Sequence, residues 1–533
     1  MNLPMAVKSG QLSVVAVLSL SLIACTNSSL FAKSSHIDPE LKVDVLIKSG
    51  TVYTGSNNKA QNLDIAVCKQ VICGIYASNS KSIVAKKTID AKGKIVSPGF
   101  IDAHTHSLEE LMSEDKNSNL NYLTQGVTTV VNGNDGGGPV DFLKTKQQLE
   151  QNGIGTNTAL LVGHGKLRTQ VIGRAERVAK PEEIDKMKSL LNTAMQQGAI
   201  GLSSGLYYVP GAFSDTNEVV ALAKTAANYK GIYDTHLRDE STFNIGFKAA
   251  VDEAIEIAKL ADIHLHIAHI KALGVDVWGQ SEDVIKQIET AQQHGISISA
   301  DQYPWRASGT MLTSAVIPKW VMADSKEKFH QRLNDVSLLP KIKTEITENI
   351  RRRGGGEALL VTVTEDQNLV GKTLKQLAIE KALTETDTVI ELVQGPQIRV
   401  ASFNMSSNDI ENFMVKPWVV TSSDGTNGHP RKYASFPKKY RQYVKEQKLL
   451  SLGQFIKQSS YQTAKILNLK KRGEIKLGNY ADIIIFDEKN YSDNATFKKW
   501  NVLSSGIETV LVNGSLTIEN NQYTQVLSGK VVH

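Results

Sequence analysis

Ser97-Pro98-Gly99-Phe100-Ile101-Asp102-Ala103-His104-Thr105-His106 leads an apolar run into a carboxylate and two imidazoles. His104 and His106 are two positions apart, and on an extended strand that spacing turns both rings to the same face. Neutral imidazoles held together in this way suit zinc and similar divalent ions. A lone His-x-His fits a solvated or hydrogen-bonded pair equally well, so the segment gains meaning only from the rest of the chain.

Downstream, buried-looking apolar runs alternate with helical stretches, the pattern of parallel β/α units. Eight strands are expected, at 95–106, 126–135, 158–164, 199–206, 231–238, 263–270, 296–303 and 418–424. Eight such units predict an α/β fold of the (β/α)8, TIM-like barrel type, which sets functional side chains at the C-terminal ends of its strands. Those ends carry His104 and His106, Asp135, His236, His269 and Asp424. Four histidines and two carboxylates thus share one rim, and the set reads as a metal site where its members singly do not. His164, closing the third strand, is read as supporting or structural, outside the ligand set.

The barrel is expected over residues 96–471. The gap between the last two strands exceeds what one helix requires, which predicts an inserted subdomain at about 319–407. Short strands and turns at 43–95 and again at 472–533 predict a small β-sandwich assembled from both ends of the barrel.

Several segments resemble the amidohydrolase superfamily. The opening 97–106 is similar to its first strand, and Arg472-Gly473-Glu474-Ile475-Lys476-Leu477-Gly478 through Asp487 is similar to its closing segment. Within it, Gly201 to Gly211, Thr235-His236-Leu237-Arg238-Asp239-Glu240, His269-Ile270-Lys271, Ser423-Asp424-Gly425 and His429-Pro430-Arg431 resemble the N-acyl-D-amino-acid deacylase (D-aminoacylase) family.

The resemblance implies one metal site from His104, His106 and Asp424, and a second from His236 and His269, with zinc as the default ion. The family commonly bridges its metals with a cysteine after strand two. Here Asp135 stands in that place, a harder ligand than thiolate. The resemblance further implies that Tyr208, Lys271 and Arg431 clamp the substrate carboxylate, with Ser308 as an additional candidate. Asp424 would take a proton from water and pass it to the leaving amine. The expected reaction is hydrolysis of an N-acyl-D-amino acid to a carboxylate and a free D-amino acid. The alternatives are a related amidohydrolase acting on cyclic amides or dipeptides, and a non-catalytic, lipid-anchored binding protein.

The 533 residues are 41% apolar and 21% charged, with a net charge of +6 spread along the chain. No dense basic tract is present, which argues against a nucleic-acid partner. Residues 1–24 read as a signal peptide whose apolar core is short for a membrane span. Its end, Leu22-Ile23-Ala24-Cys25, resembles a bacterial lipoprotein cleavage box. The expectation is export to the cell envelope or periplasm, lipidation at Cys25, a polar tether over 25–42 and attachment to a membrane. Cys68 and Cys73 lie on adjacent strand-like segments, and the sequence leaves their pairing open.

Overall fold

The computed structural model describes residues 42–79 and 83–533. The expected leader, Cys25 and the tether up to residue 41 lie outside the described residues. No helix among the described residues is long and apolar enough to cross a membrane.

Eight parallel strands form the barrel. The first three, Phe100–Asp102, Val127–Asn132 and Asn157–Leu160, pair in order. The third resumes as Val162–Gly163 and pairs with Gly201–Gly205. Ile232–His236, His264–Ile267, Ile298–Gln302 and Val419–Thr421 complete the series in register. A parallel bridge between Thr105 and Gly425 brings the last strand against the first and closes the ring. All but one residue of these strands are buried, as expected where side chains fill a barrel and helices cover it.

The covering helices start and stop at local signals. Phe142–Asn152 begins at Asp141, whose carboxylate accepts from the Lys144 N–H, and ends at Gly153 with φ 68°. Thr216–Ala227 is capped in the same way by Asp215. Leu149, Leu191, Leu222, Val251 and Ile288 carry the apolar faces of successive helices into one core with the strands.

Three boundaries differ from the sequence reading. Ile95–Pro98 does not belong to the barrel: it pairs with Val43–Tyr53 and Ile483–Phe486 in the terminal β domain. The break falls at Gly99, where a Cβ would lie 2.1 Å from the Thr128 hydroxyl, so the chain passes the second strand only as glycine. The terminal domain is one continuous nine-stranded sheet rather than two separate ones. Its long strand Val43–Tyr53 serves both halves, pairing Ala85–Asp90 near its start and Ile95–Pro98 beyond a register break between Ile47 and Gly50.

The insertion begins earlier than 319. Ala307–Met311 pairs antiparallel with Arg399–Phe403, which also pairs with Leu359–Val363. This three-stranded sheet and its helices enclose a separate core of Leu312, Val321, Ile346, Leu377, Val389 and Val400. Ser308 and Arg399 therefore face each other's strands in the insertion, close to the C-terminal end of the barrel.

Candidate metal centre and substrate cavity

The barrel brings the six rim residues together. Asp135 is central. Its Oδ1 lies 3.2 Å from His269 Nε2, 3.6 Å from His104 Nε2 and 3.7 Å from His236 Nδ1, and its Oδ2 lies 3.5 Å from His106 Nε2. Asp424 Oδ1 lies 3.2 Å from His106 Nε2 and 3.8 Å from His104 Nε2. His236 Nδ1 and His269 Nε2 face each other at 2.9 Å.

Three of these residues have positive φ: Asp135 at 55°, His269 at 35° and Asp424 at 47°. Left-handed backbone is costly for non-glycine residues and persists where the surrounding structure holds it. Each of the three lies just past the end of a barrel strand, and the turn there aims the side chain across the rim.

The donors suit a divalent cation. Both ring nitrogens of His104 and Oδ1 of Asp135 are buried with no hydrogen-bond partner. Buried polar atoms left this way are expensive unless an ion or another group satisfies them. His104, Asp135, His269 and Asp424 can each direct one ligand atom to a common point. Electrostatics agree. Burial opposes charge on His106 and His269, yet Asp135 and Asp424 raise His106 to about 9, and Asp135, Glu240 and Asp424 raise His269 to about 10 against Lys271 as well. Burial pushes His236 down. The cluster is built to hold positive charge.

Glu240 is a site residue that the sequence reading missed. It closes the segment Thr235–Glu240, and its spacing of four from His236 was the available signal. Its carboxylate accepts from Lys271 Nζ at 2.6 Å and lies 3.2 Å from His269 Nδ1. Lys271 also reaches His269 Nδ1 at 2.7 Å. The ammonium expected to clamp substrate is thus already matched by Glu240, although it lines the cavity.

Arg431 departs further from expectation. It is 1% exposed and does not line the cavity. Nη1 pairs with Asp424 Oδ2 at 2.6 Å, while Nη2 donates to the Gly309 carbonyl and the Thr426 hydroxyl, both at 3.2 Å. The short turn from Asp424 into the helix Arg431–Lys438 folds the guanidinium back on the carboxylate, where it braces Asp424. Burial raises the Asp424 pKa, but Arg431 and His269 outweigh it and hold the carboxyl well below the ordinary range.

Tyr208 and Ser308, also expected at the site, line a cavity of about 800 Å³ that opens on the cluster, together with His106, Asp135, His236, His269 and Asp424. The Tyr208 ring packs 4.7 Å from that of His236. His164 is fully buried, pairs with Glu218 at 2.7 Å, and takes no part in the cluster; Arg168 shares the same carboxylate. Beneath the rim, Asp301 accepts from His266 Nε2 at 3.0 Å and from the His269 N–H at 3.1 Å, seating the sixth strand's histidine. Cys68 and Cys73 are joined in a disulfide across a hairpin.

A barrel with His-x-His after its first strand and an aspartate after its last, closed by a β domain from both termini, defines a metal-dependent hydrolase of amide bonds. Two models described as amidohydrolase family match residues 87–311 and 400–517. The chain belongs to the amidohydrolase superfamily and, within it, is similar to the N-acyl-D-amino-acid deacylases. It is 28% identical to D-aminoacylase of Alcaligenes xylosoxydans xylosoxydans, over 92% of this chain and 97% of that one. A crystal structure of D-aminoacylase superposes with a TM-score of 0.79 at 28% identity, covering 92% of this chain and all of the other. N-acyl-D-glutamate deacylase from Bordetella bronchiseptica, solved with zinc and a phosphonate mimic of the tetrahedral intermediate, gives 0.79 at 26% identity over 92% and 100%.

Proposed function

We infer that the chain hydrolyses the linear amide bond of N-acyl-D-amino acids, releasing a carboxylate and a free D-amino acid. The carrying observation is the Asp135-centred donor cluster, open to a cavity and adjoining an ionised Asp424. His104, His106, Asp135, His236, His269 and Asp424 would hold one or two divalent ions, with zinc proposed by analogy to the relative solved with it. When bound, such an ion supplies a Lewis acid that polarises the scissile carbonyl and makes water a competent nucleophile at neutral pH.

The protein's own part is proton transfer and positioning. Asp424 takes a proton from the attacking water at Oδ1, the oxygen facing the imidazoles, because Oδ2 is held by Arg431. As the C–O bond forms and the C–N bond breaks, that proton passes to the leaving nitrogen. Arg431 fixes the carboxylate's orientation and keeps it ionised. The buried surroundings of the cluster strengthen each of these interactions.

The test is a screen of paired N-acyl-D- and N-acyl-L-amino acids with metal analysis of the same preparation. Strong preference for the D series is expected. Equal turnover of both would refute the stereochemical assignment, and turnover of cyclic amides alone would shift the reading to the related chemistry.

We also propose that the protein is exported and anchored through a lipid on Cys25. The leader pattern and the terminal Leu22-Ile23-Ala24-Cys25 support this. So does the Cys68–Cys73 disulfide, since such bonds persist in oxidising compartments. Labelling with a fatty acid should mark the wild type and not Cys25→Ser; an unlabelled wild type would remove the anchor.

A further inference from the structure

Two neighbouring strands of the barrel carry an unusual interior face. His264 and His266 alternate with Leu265 and Ile267 on one, and Ser297, Ser299 and Asp301 alternate with Ile298 and Ala300 on the other. The apolar members join the core shared with the helices. The polar members take the opposite face, where a barrel of this kind ordinarily stacks branched apolar side chains.

These side chains form a continuous column from the base of the barrel to the metal cluster. Ser297 Oγ lies 2.6 Å from His264 Nδ1, and His264 Nε2 lies 2.7 Å from Ser299 Oγ. Ser299 Oγ lies 2.8 Å from His266 Nδ1, and His266 Nε2 lies 3.0 Å from Asp301 Oδ2. Ser297 is exposed, whereas Ser299, His266 and Asp301 are buried. An ionised carboxylate only accepts, so Asp301 takes the proton of His266 Nε2. Every hydrogen of the column then has one acceptor when Ser297 donates to His264, His264 to Ser299 and Ser299 to His266.

Asp301 turns this order towards the metal ligands. Its Oδ1 accepts the His269 N–H at 3.1 Å and its backbone carbonyl accepts the Ile270 N–H at 2.9 Å. One residue thus holds two successive amides at the point where His269 adopts φ 35°. Its Oδ2, the oxygen bound by His266, also faces His104 Nδ1 at 3.9 Å. Groups behind a ligating histidine fix its ring and its backbone, and metal affinity depends on them.

We propose that His266, oriented by Ser299 and His264, is a positioning residue for the metal centre. It locks the Asp301 carboxylate, and Asp301 holds the strained backbone that aims His269 at Asp135. The assignment rests on the metal-site reading and is independent of the substrate chosen.

The experiment measures zinc affinity of the metal-stripped, full-length protein by competition with a chromophoric chelator. His266→Leu is expected to weaken zinc binding about ten- to a hundred-fold. His266→Gln, which still offers one acceptor and one donor, should recover most of the loss. Ser299→Ala, which keeps the histidine but releases its ring, should lose affinity in the same direction. Glu218→Gln destabilises the fold away from the cluster and should leave zinc affinity unchanged, which separates positioning from lost stability. Zinc affinity of His266→Leu within about two-fold of wild type, or a His266→Gln protein as impaired as His266→Leu, overturns the assignment. If His266→Leu does not fold, Ser299→Ala with wild-type affinity overturns it equally. A wild type that binds no zinc sinks the metal reading together with this proposal. A wild type that holds zinc, responds to His266 and hydrolyses no N-acyl-D-amino acid removes the deacylase reading and supports this one.

Discussion

Replacing Lys439 with methionine should stabilise the protein at neutral pH. Lys439 is 1% exposed, and its ammonium contacts only the Thr421 hydroxyl at 2.9 Å and Gln458 Oε1 at 3.1 Å, with no carboxylate among the described residues in ion-pair range. Burial lowers its pKa from 10.5 to about 7. At about 1.4 kcal/mol per tenfold, holding the charged form inside costs about 5 kcal/mol. Because the folded pKa is depressed, the unfolded chain binds the extra proton between about pH 7 and 10.5. Stability therefore rises with pH through that window, and the cost is complete below it. Methionine of similar length removes the cost but leaves Gln458 Oε1 without its donor, a loss of about 1–3 kcal/mol; Thr421 still pairs with Ser459 at 2.8 Å. The net gain expected at pH 7 is about 2–4 kcal/mol, shrinking towards zero or reversing by pH 10. Urea unfolding of both proteins at saturating zinc, in steps from pH 6.5 to 10, measures it. A variant less stable than wild type at pH 7, or a difference that stays constant across the range, would refute the reasoning.

Asp424→Asn should reduce kcat by at least about a thousand-fold while its thermal midpoint stays within a few degrees of wild type; near-normal turnover would end the proton-transfer assignment. Asp135→Asn should weaken metal binding by at least about a hundred-fold, more than a supporting residue would, and equilibrium dialysis against zinc tests it. A chelator should abolish activity and added zinc restore it; activity that survives complete metal removal would contradict the site. Glu218→Gln should destabilise the fold by about 3–5 kcal/mol, since it strands the buried Arg168, yet leave KM unchanged because neither residue lines the cavity. Denaturant midpoints and steady-state kinetics separate the two effects.

The metal rim was legible because parallel strands mark their own ends. Each buried run stops where a polar residue begins, and the imidazoles and carboxylates sit at those stops. The insertion's edge was less legible. Ala307-Ser308-Gly309-Thr310-Met311 lacks the alternation of a half-buried strand, and its partner Arg399–Phe403 is far along the chain. Side-chain allegiance was not legible at all. Arg431 stands close after Asp424, and only the turn into its helix brings its guanidinium onto the Asp424 carboxylate. Lys439 sits in Lys438-Lys439-Tyr440-Arg441, which reads as surface, but it opens a π-helical stretch whose winding departs from the 3.6-residue period.

Charge pairing explains how a carboxylate can serve where the family's pattern expects a thiolate. Three carboxylates stand among the four histidines: Asp135, Glu240 and Asp424. Glu240 is matched by Lys271 and Asp424 by Arg431, each at 2.6 Å. Asp135 has only imidazoles around it. A buried carboxylate is expensive without compensating positive charge; here that charge comes from protonated His106 and His269 or from a metal ion. A metal ion bound beside Asp135 would supply that charge, and the two Asp135 oxygens reach towards both histidine pairs. A thiolate in this place would carry the same single charge on one atom. The carboxylate spreads it over two oxygens, so Asp135 would offer both histidine pairs a harder donor than thiolate.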